Sequence, residues 1–100
     1  MNTSVTEIVI PAACSVTITD DTLCVDLLDG RTISVPMAWY PRLIQGTEAE
    51  RNNWQFIGNG HGIHWEDLDE DISIEGLILG KPSGESQASF KRWLNSRRGQ

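Results

Sequence analysis

An α+β domain is what these 100 residues encode. β-Rich alternation crowds the first third, prolines and glycines from Pro36 onward cut the middle into helix-sized pieces, and residues 87–98 carry an amphipathic helical pattern. The expectation is a small antiparallel sheet from the N-terminal third packed with two or three short helices, plus a C-terminal amphipathic helix. A chain this short makes one domain. Residues 1–82 are read as its α+β body and 83–100 as a hinge and basic helical tail.

In order along the chain, Val5 to Ile10 alternates as a strand that Pro11 ends. Ser15 to Thr19 and Thr22 to Leu28 are two further β-rich runs parted by the turn pair Asp20-Asp21. Asp29-Gly30 then predicts a two-residue type I′ hairpin, in which both central residues need positive φ, and Arg31 to Val35 returns. Pro41 opens a short helix that Gly46 ends. Thr47 and Glu50 form the capping box of a second short helix, which Asn52-Asn53 closes. Trp54, Phe56 and Ile57 are apolar enough to form one more short strand, and Ile63 to Trp65 leads back to the core after the glycine-rich loop 58–62. Asp71 caps a third helix with Ile74, Leu77 and Ile78 on one face, ended by Gly80 and Pro82. Alternation also fits a strand here; the Gly-x-Pro ending favours the helix. Ser-Gly-Glu-Ser at 83–86 is the hinge. In the tail, Phe90, Trp93 and Leu94 gather on one side and Lys91, Arg92 and Arg98 elsewhere.

The net charge of −6 is unevenly spread. Residues 1–80 hold three arginines against thirteen acids, whereas 81–100 hold five cations against Glu85 alone. Such a field steers partners and says nothing about fold. The acidic body disfavours nucleic acid unless the tail binds it. The first twenty residues carry no basic, apolar secretory pattern, so a cytoplasmic location with free Cys14 and Cys24 is expected. No apolar run reaches the roughly 20 residues of a membrane span.

Little in the chain points to catalysis. His61-x-x-His64 with the acids that follow invites a metal reading, with Asp69 as third ligand, but the spacing is that of a loop rather than a zinc helix. Asp67-x-Asp69-x-Asp71 opens like a calcium loop, yet Ile72 and Ile78 stand where glycine and glutamate are needed. Neither cysteine has a neighbouring base, no serine sits in a nucleophile elbow, and the glycine loop lacks the Lys-Ser/Thr of a phosphate site. No cofactor is expected. Trp39-Tyr40-Pro41-Arg42 has the composition of an interface anchor. Against that stands a core role for Trp39, with Arg42 and Arg51 holding the acidic loop 66–71 to the helices. His64, Trp65, Asp69 and Asp71 in the loop region, and Phe90, Arg92 and Trp93 in the tail, complete the interaction candidates.

Several of these residues also carry a resemblance. Asp29-Gly30-Arg31, Ile33 to Pro36, Trp39-Tyr40-Pro41-Arg42-Leu43, Glu50-Arg51 and Trp54 are part of it. Gly58, Gly60, Gly62-Ile63-His64-Trp65, Leu68 to Ser73 and Gly76-Leu77 continue it. Together, over about residues 5–80, they resemble the small bacterial family called domain of unknown function 2442. The resemblance implies an α+β domain and no established activity. It also implies, for some members, an added helix-turn-helix and, for others, a second small protein encoded alongside in a toxin–antitoxin-like arrangement. The twenty residues after Gly80 hold one helix at most, too little for a helix-turn-helix.

The function expected is therefore a protein-interaction or regulatory module, the antitoxin-like half of a two-gene pair, with an unidentified protein partner. One alternative is nucleic-acid binding through the basic tail. The other is a metal-dependent enzyme built on His61, His64 and Asp69.

Overall fold

The computed structural model describes residues 9–98. It is an α+β fold made of two three-stranded antiparallel sheets, short helices and a C-terminal helix. The strand expected at Val5 to Ile10 falls largely outside the described residues; Val9 and Ile10 are irregular. Strands β1 (Ala13–Ile18), β2 (Thr22–Leu27) and β3 (Thr32–Pro36) form the first sheet in chain order. Its inward residues Leu23, Val25, Leu27 and Val35 are buried, while Thr22, Cys24 and Asp26 alternate on the other face.

The β2–β3 turn differs from expectation. Only Gly30 takes positive φ, at 96°, so the loop is the three-residue kind with a glycine bulge. Its Gly30 N–H donates to Leu27 O (3.1 Å) and its Leu27 N–H to Arg31 O (2.8 Å). The Asp29 carboxylate explains the choice, because it accepts from the Arg31 backbone N–H (3.1 Å) and from its Nε (2.9 Å). Thr17, not Cys14, lies opposite Cys24. The two thiols are thus offset by roughly 10 Å along the strand pair, beyond disulfide reach, and both are free.

After a 3-10 turn at Met37–Trp39 come α1 (Pro41–Gln45) and α2 (Glu48–Asn52). Pro41 stands at the start of α1, and both halves of the Thr47–Glu50 capping box are made. A short strand at Trp54 to Ile57 is as expected; its pairing into a second sheet is an addition to what the sequence pattern shows. Strands β4 (Trp54–Ile57), β5 (Gly62–Trp65) and β6 (Glu70–Ser73) form it, again in chain order. β6 takes the residues read as a helix start. Asp71 pairs with His64 across the ladder instead of capping, and Ser73 caps α3 (Ile74–Ile78) by accepting from the Gly76 N–H (2.9 Å). The strand wins there because Ile63 and Ile72 face one another at the core.

One hydrophobic cluster joins both sheets and the helices. Trp65, Leu23, Met37, Leu43, Ile63 and Leu68 are its largest fully buried members. Helix α4 (Gln87–Arg98) lies against this body, with Trp93 packed on the cluster. Among the described residues no helix is long and apolar enough to cross a membrane.

Candidate functional site

The β5–β6 hairpin carries the acids. Cross-strand pairing sets Gln55, His64 and Asp71 in one row on the outer face of the second sheet. His64 Nδ1 meets the Asp71 carboxylate, and its Nε2 lies 3.0 Å from Glu66 Oε1. Those two bonds, Asp71 first, raise the imidazole pKa, because each favours the charged ring. Asp67 accepts from Asn53 Nδ2 (2.9 Å), which ties the loop to the end of α2. The side chains of Glu66, Asp69 and Asp71 are nevertheless 78, 87 and 65% exposed. The hairpin thus presents carboxylates outward on a rigid frame.

The metal trio does not assemble. His61 is exposed at the turn before β5, both nitrogens of His64 are taken by carboxylates, and Asp69 lies beside Arg42. Among the described residues no group of three or more His, Cys, Asp or Glu is placed to hold an ion.

Arg42 is the junction between body and tail. Projecting from the first turn of α1, its Nη1 donates to the carbonyls of Leu68 (3.3 Å) and Asp69 (2.9 Å). Its Nε and Nη2 fork onto the two oxygens of Glu85. The fork holds the Glu85 carboxyl below its ordinary value, and the Ser89 hydroxyl, donating to the same group, adds to the effect. One helical face further on, the Trp93 ring has two guanidiniums, Arg42 and Arg97, each 4.9 Å from its centre. Arg97 in turn donates to both oxygens of Glu50 (2.8 and 3.3 Å), which lowers the Glu50 pKa. Arg42 thus holds the acidic loop, as its expected role requires. Beyond that loop, Trp93 of the tail supplies its ring and Glu85 its acid.

Other candidates are internal fastenings. Tyr40 is buried, and its hydroxyl donates to Lys81 O (3.2 Å); burial, then the charge of Glu70, raises its pKa. Trp65 has no exposed surface, and its Nε1 donates to Arg51 O (2.8 Å). Among the described residues Arg51 makes no hydrogen bond or ion pair with the acidic loop, which corrects its expected role as a clamp there. Its Nε and Nη2 instead donate to Leu43 O (2.8 Å) and Ile44 O (2.9 Å), satisfying carbonyls at the end of α1. Trp39 is half-buried and, with Pro41, Pro82 and Phe90, lines an open cleft of about 280 Å³ between body and tail. Arg92 is exposed on α4.

Glu70 was missed. It pairs with Trp65 across the ladder and so shares the inward side, where it lines a cleft of about 260 Å³ with Tyr40 and Lys81. Its carboxyl has no hydrogen-bond partner among the described residues. Burial pushes its pKa up to about 7; Arg42 opposes the rise, and Glu85, Asp71 and Asp69 assist it. The signal was available, since a strand with Ile72 inward must also turn residue 70 inward.

The fold is shared with a solved structure, that of a protein of unknown function from Rhodospirillum rubrum ATCC 11170. The two superpose with a TM-score of 0.64 at 29% identity, covering 78% of this chain and 94% of the other. No curated protein matches. The family profile described as "Protein of unknown function (DUF2442)" matches residues 13–83, which span β1 to the Arg42 anchor, the acidic hairpin and α3, and to that family this chain belongs.

Proposed function

We propose that the protein is a non-catalytic interaction module that presents the acidic β5–β6 hairpin to a basic protein partner. The observation that carries this reading is the outward projection of Glu66, Asp69 and Asp71 from one hairpin braced by His64, Asn53 and Arg42. A fixed array of like charges raises association rates with an oppositely charged surface and sets orientation. The partner that the family resemblance favours is a second small protein encoded alongside, which would make this chain the regulatory, antitoxin-like half of a pair. Co-expression with the adjacent gene product, followed by size-exclusion chromatography, tests it. Co-elution is expected, and Glu66→Gln/Asp69→Asn/Asp71→Asn should weaken it by roughly tenfold or more at moderate salt. Two separate peaks from the wild-type pair end this reading.

Nucleic-acid binding through the tail has narrower support. Arg97 is engaged by Glu50, leaving Lys91, Arg92 and Arg98 exposed on α4. Three phosphate contacts correspond to a log–log salt slope of about −2.7, and deletion of 83–100 should abolish the binding.

A further inference from the structure

We propose that the body surface beneath α4 is a helix-docking site, that the tail is its built-in occupant, and that a basic amphipathic helix from a partner displaces it. This deepens the interaction-module reading and rests on it. The partner helix is defined by what the tail itself offers: an aromatic ring for Arg42, with an arginine four positions on for Glu50.

Three observations support an exchangeable occupant. First, the tail lies beyond the residues that the family profile matches, which end at Ser83, whereas Arg42 and Glu50 lie within them. The profile thus covers the receptor residues and stops short of α4. Second, side-chain contacts fasten α4 to the body, among them the Glu50–Arg97 pair and the Glu85–Ser89 contact that continues to Arg42. It leads off a segment with Gly80 at φ 73°, then Pro82 and Gly84. That segment is pinned as far as Ser83, whose N–H donates to Trp39 O (3.0 Å), so α4 would swing about Gly84 while the sheets stay folded. Third, the tail fills its seat incompletely. The open cleft beside Trp39 and Pro41 faces Ser86 and Gln87, small or polar residues where a partner helix with a large apolar side chain would gain contact. Charge complementarity fixes the sign of the partner: Glu50 accepts an arginine, and the surrounding body carries ten more acids than cations over residues 1–80.

The probe is a fluorescein-labelled peptide of residues 83–100, titrated by anisotropy into full-length protein. In wild type the seat is filled intramolecularly, so binding is weak. A full-length Trp93→Ala/Arg97→Glu variant, folded by circular dichroism, should bind the peptide roughly tenfold or more tightly than wild type. Specificity is read from a charge swap. Full-length Trp93→Ala/Glu50→Lys should bind the native peptide less tightly than Trp93→Ala alone, and an Arg97→Glu peptide more tightly. Equal affinity of wild type and the Trp93→Ala/Arg97→Glu variant, absence of saturable binding to that folded variant, or indifference to the swap overturns the proposal. If the peptide fails while the adjacent gene product still co-elutes, α4 is a structural strap and the interaction module stands. If both fail, neither reading survives.

Discussion

At the scale of single residues, Trp65 and Glu70 occupy the same cross-strand row and have opposite consequences. Trp65 is fully buried, and its indole N–H satisfies a carbonyl of α2. Replacing it with phenylalanine keeps most of the apolar volume but leaves Arg51 O without that donor, so a loss of about 1–2 kcal/mol is expected. Replacement by alanine should cost about 3–5 kcal/mol. Urea denaturation followed by far-ultraviolet circular dichroism checks both, and a phenylalanine variant as damaged as the alanine one would show that the bond has been undervalued. The Glu70 carboxyl is held inward with no hydrogen-bond partner among the described residues, so its ionised form is unwelcome despite the charge of Arg42. Below about pH 4.5 it is neutral in both states; between there and about 7 the unfolded chain ionises while the native one resists. Glu70→Gln should therefore stabilise the protein above pH 7 by roughly 1–2 kcal/mol, after discounting for its partial exposure, and change little near pH 4. A destabilised variant at alkaline pH would refute that account.

At the scale of elements, caps and turns decide where each short piece begins. The capping box of α2 was readable from Thr47 and Glu50, because the spacing of donor and acceptor is local. Thr47→Ala should lower stability by about 1 kcal/mol. The second sheet was harder to read: β4 and β5 are four residues each, β6 is another four, and the glycine-rich link looks like open loop. What makes the link structural is Gly60. It takes φ 86° against the first sheet, and an added Cβ would stand 3.0 Å from Ala13 O. Gly60→Ala should accordingly cost about 1–3 kcal/mol from backbone strain, with further loss from the clash, read as a lowered denaturation midpoint. Asp71 was misplaced as a cap for a related reason. Its neighbours fit either a helix start or a strand end, and only the cross-strand pairing with His64 separates the two. The amphipathic character of α4 was legible, but its seat was not, since Arg42 and Glu85 are 43 positions apart.

At the scale of the whole molecule, the titrating groups act together on stability. His64 has a raised pKa in the fold, so its contribution is full below about 6.5, its ordinary value, and fades as pH rises through the folded value. The penalty from Glu70 grows over the interval from about 4.5 to about 7. Both therefore erode the native state in the same direction, towards alkaline pH. On the acid side stand Glu85 and Glu50, lowered by Arg42 and Arg97, and Asp26, lowered by the Ser15 and Thr32 hydroxyls. Their contributions are present above the ordinary carboxylate range and disappear as pH falls through their folded values. Two of these carboxylates are the latches of α4, so acid should loosen the tail as well as weaken the first sheet at Asp26. The expected thermal-midpoint profile is a dome with its maximum on the mildly acidic side, between about pH 4.5 and 6.5. Glu70→Gln should raise only the alkaline limb, whereas His64→Gln should lower the summit and flatten the descent. A wild-type maximum at about pH 8 would mean that the hairpin and the Glu70 cleft do not govern the balance.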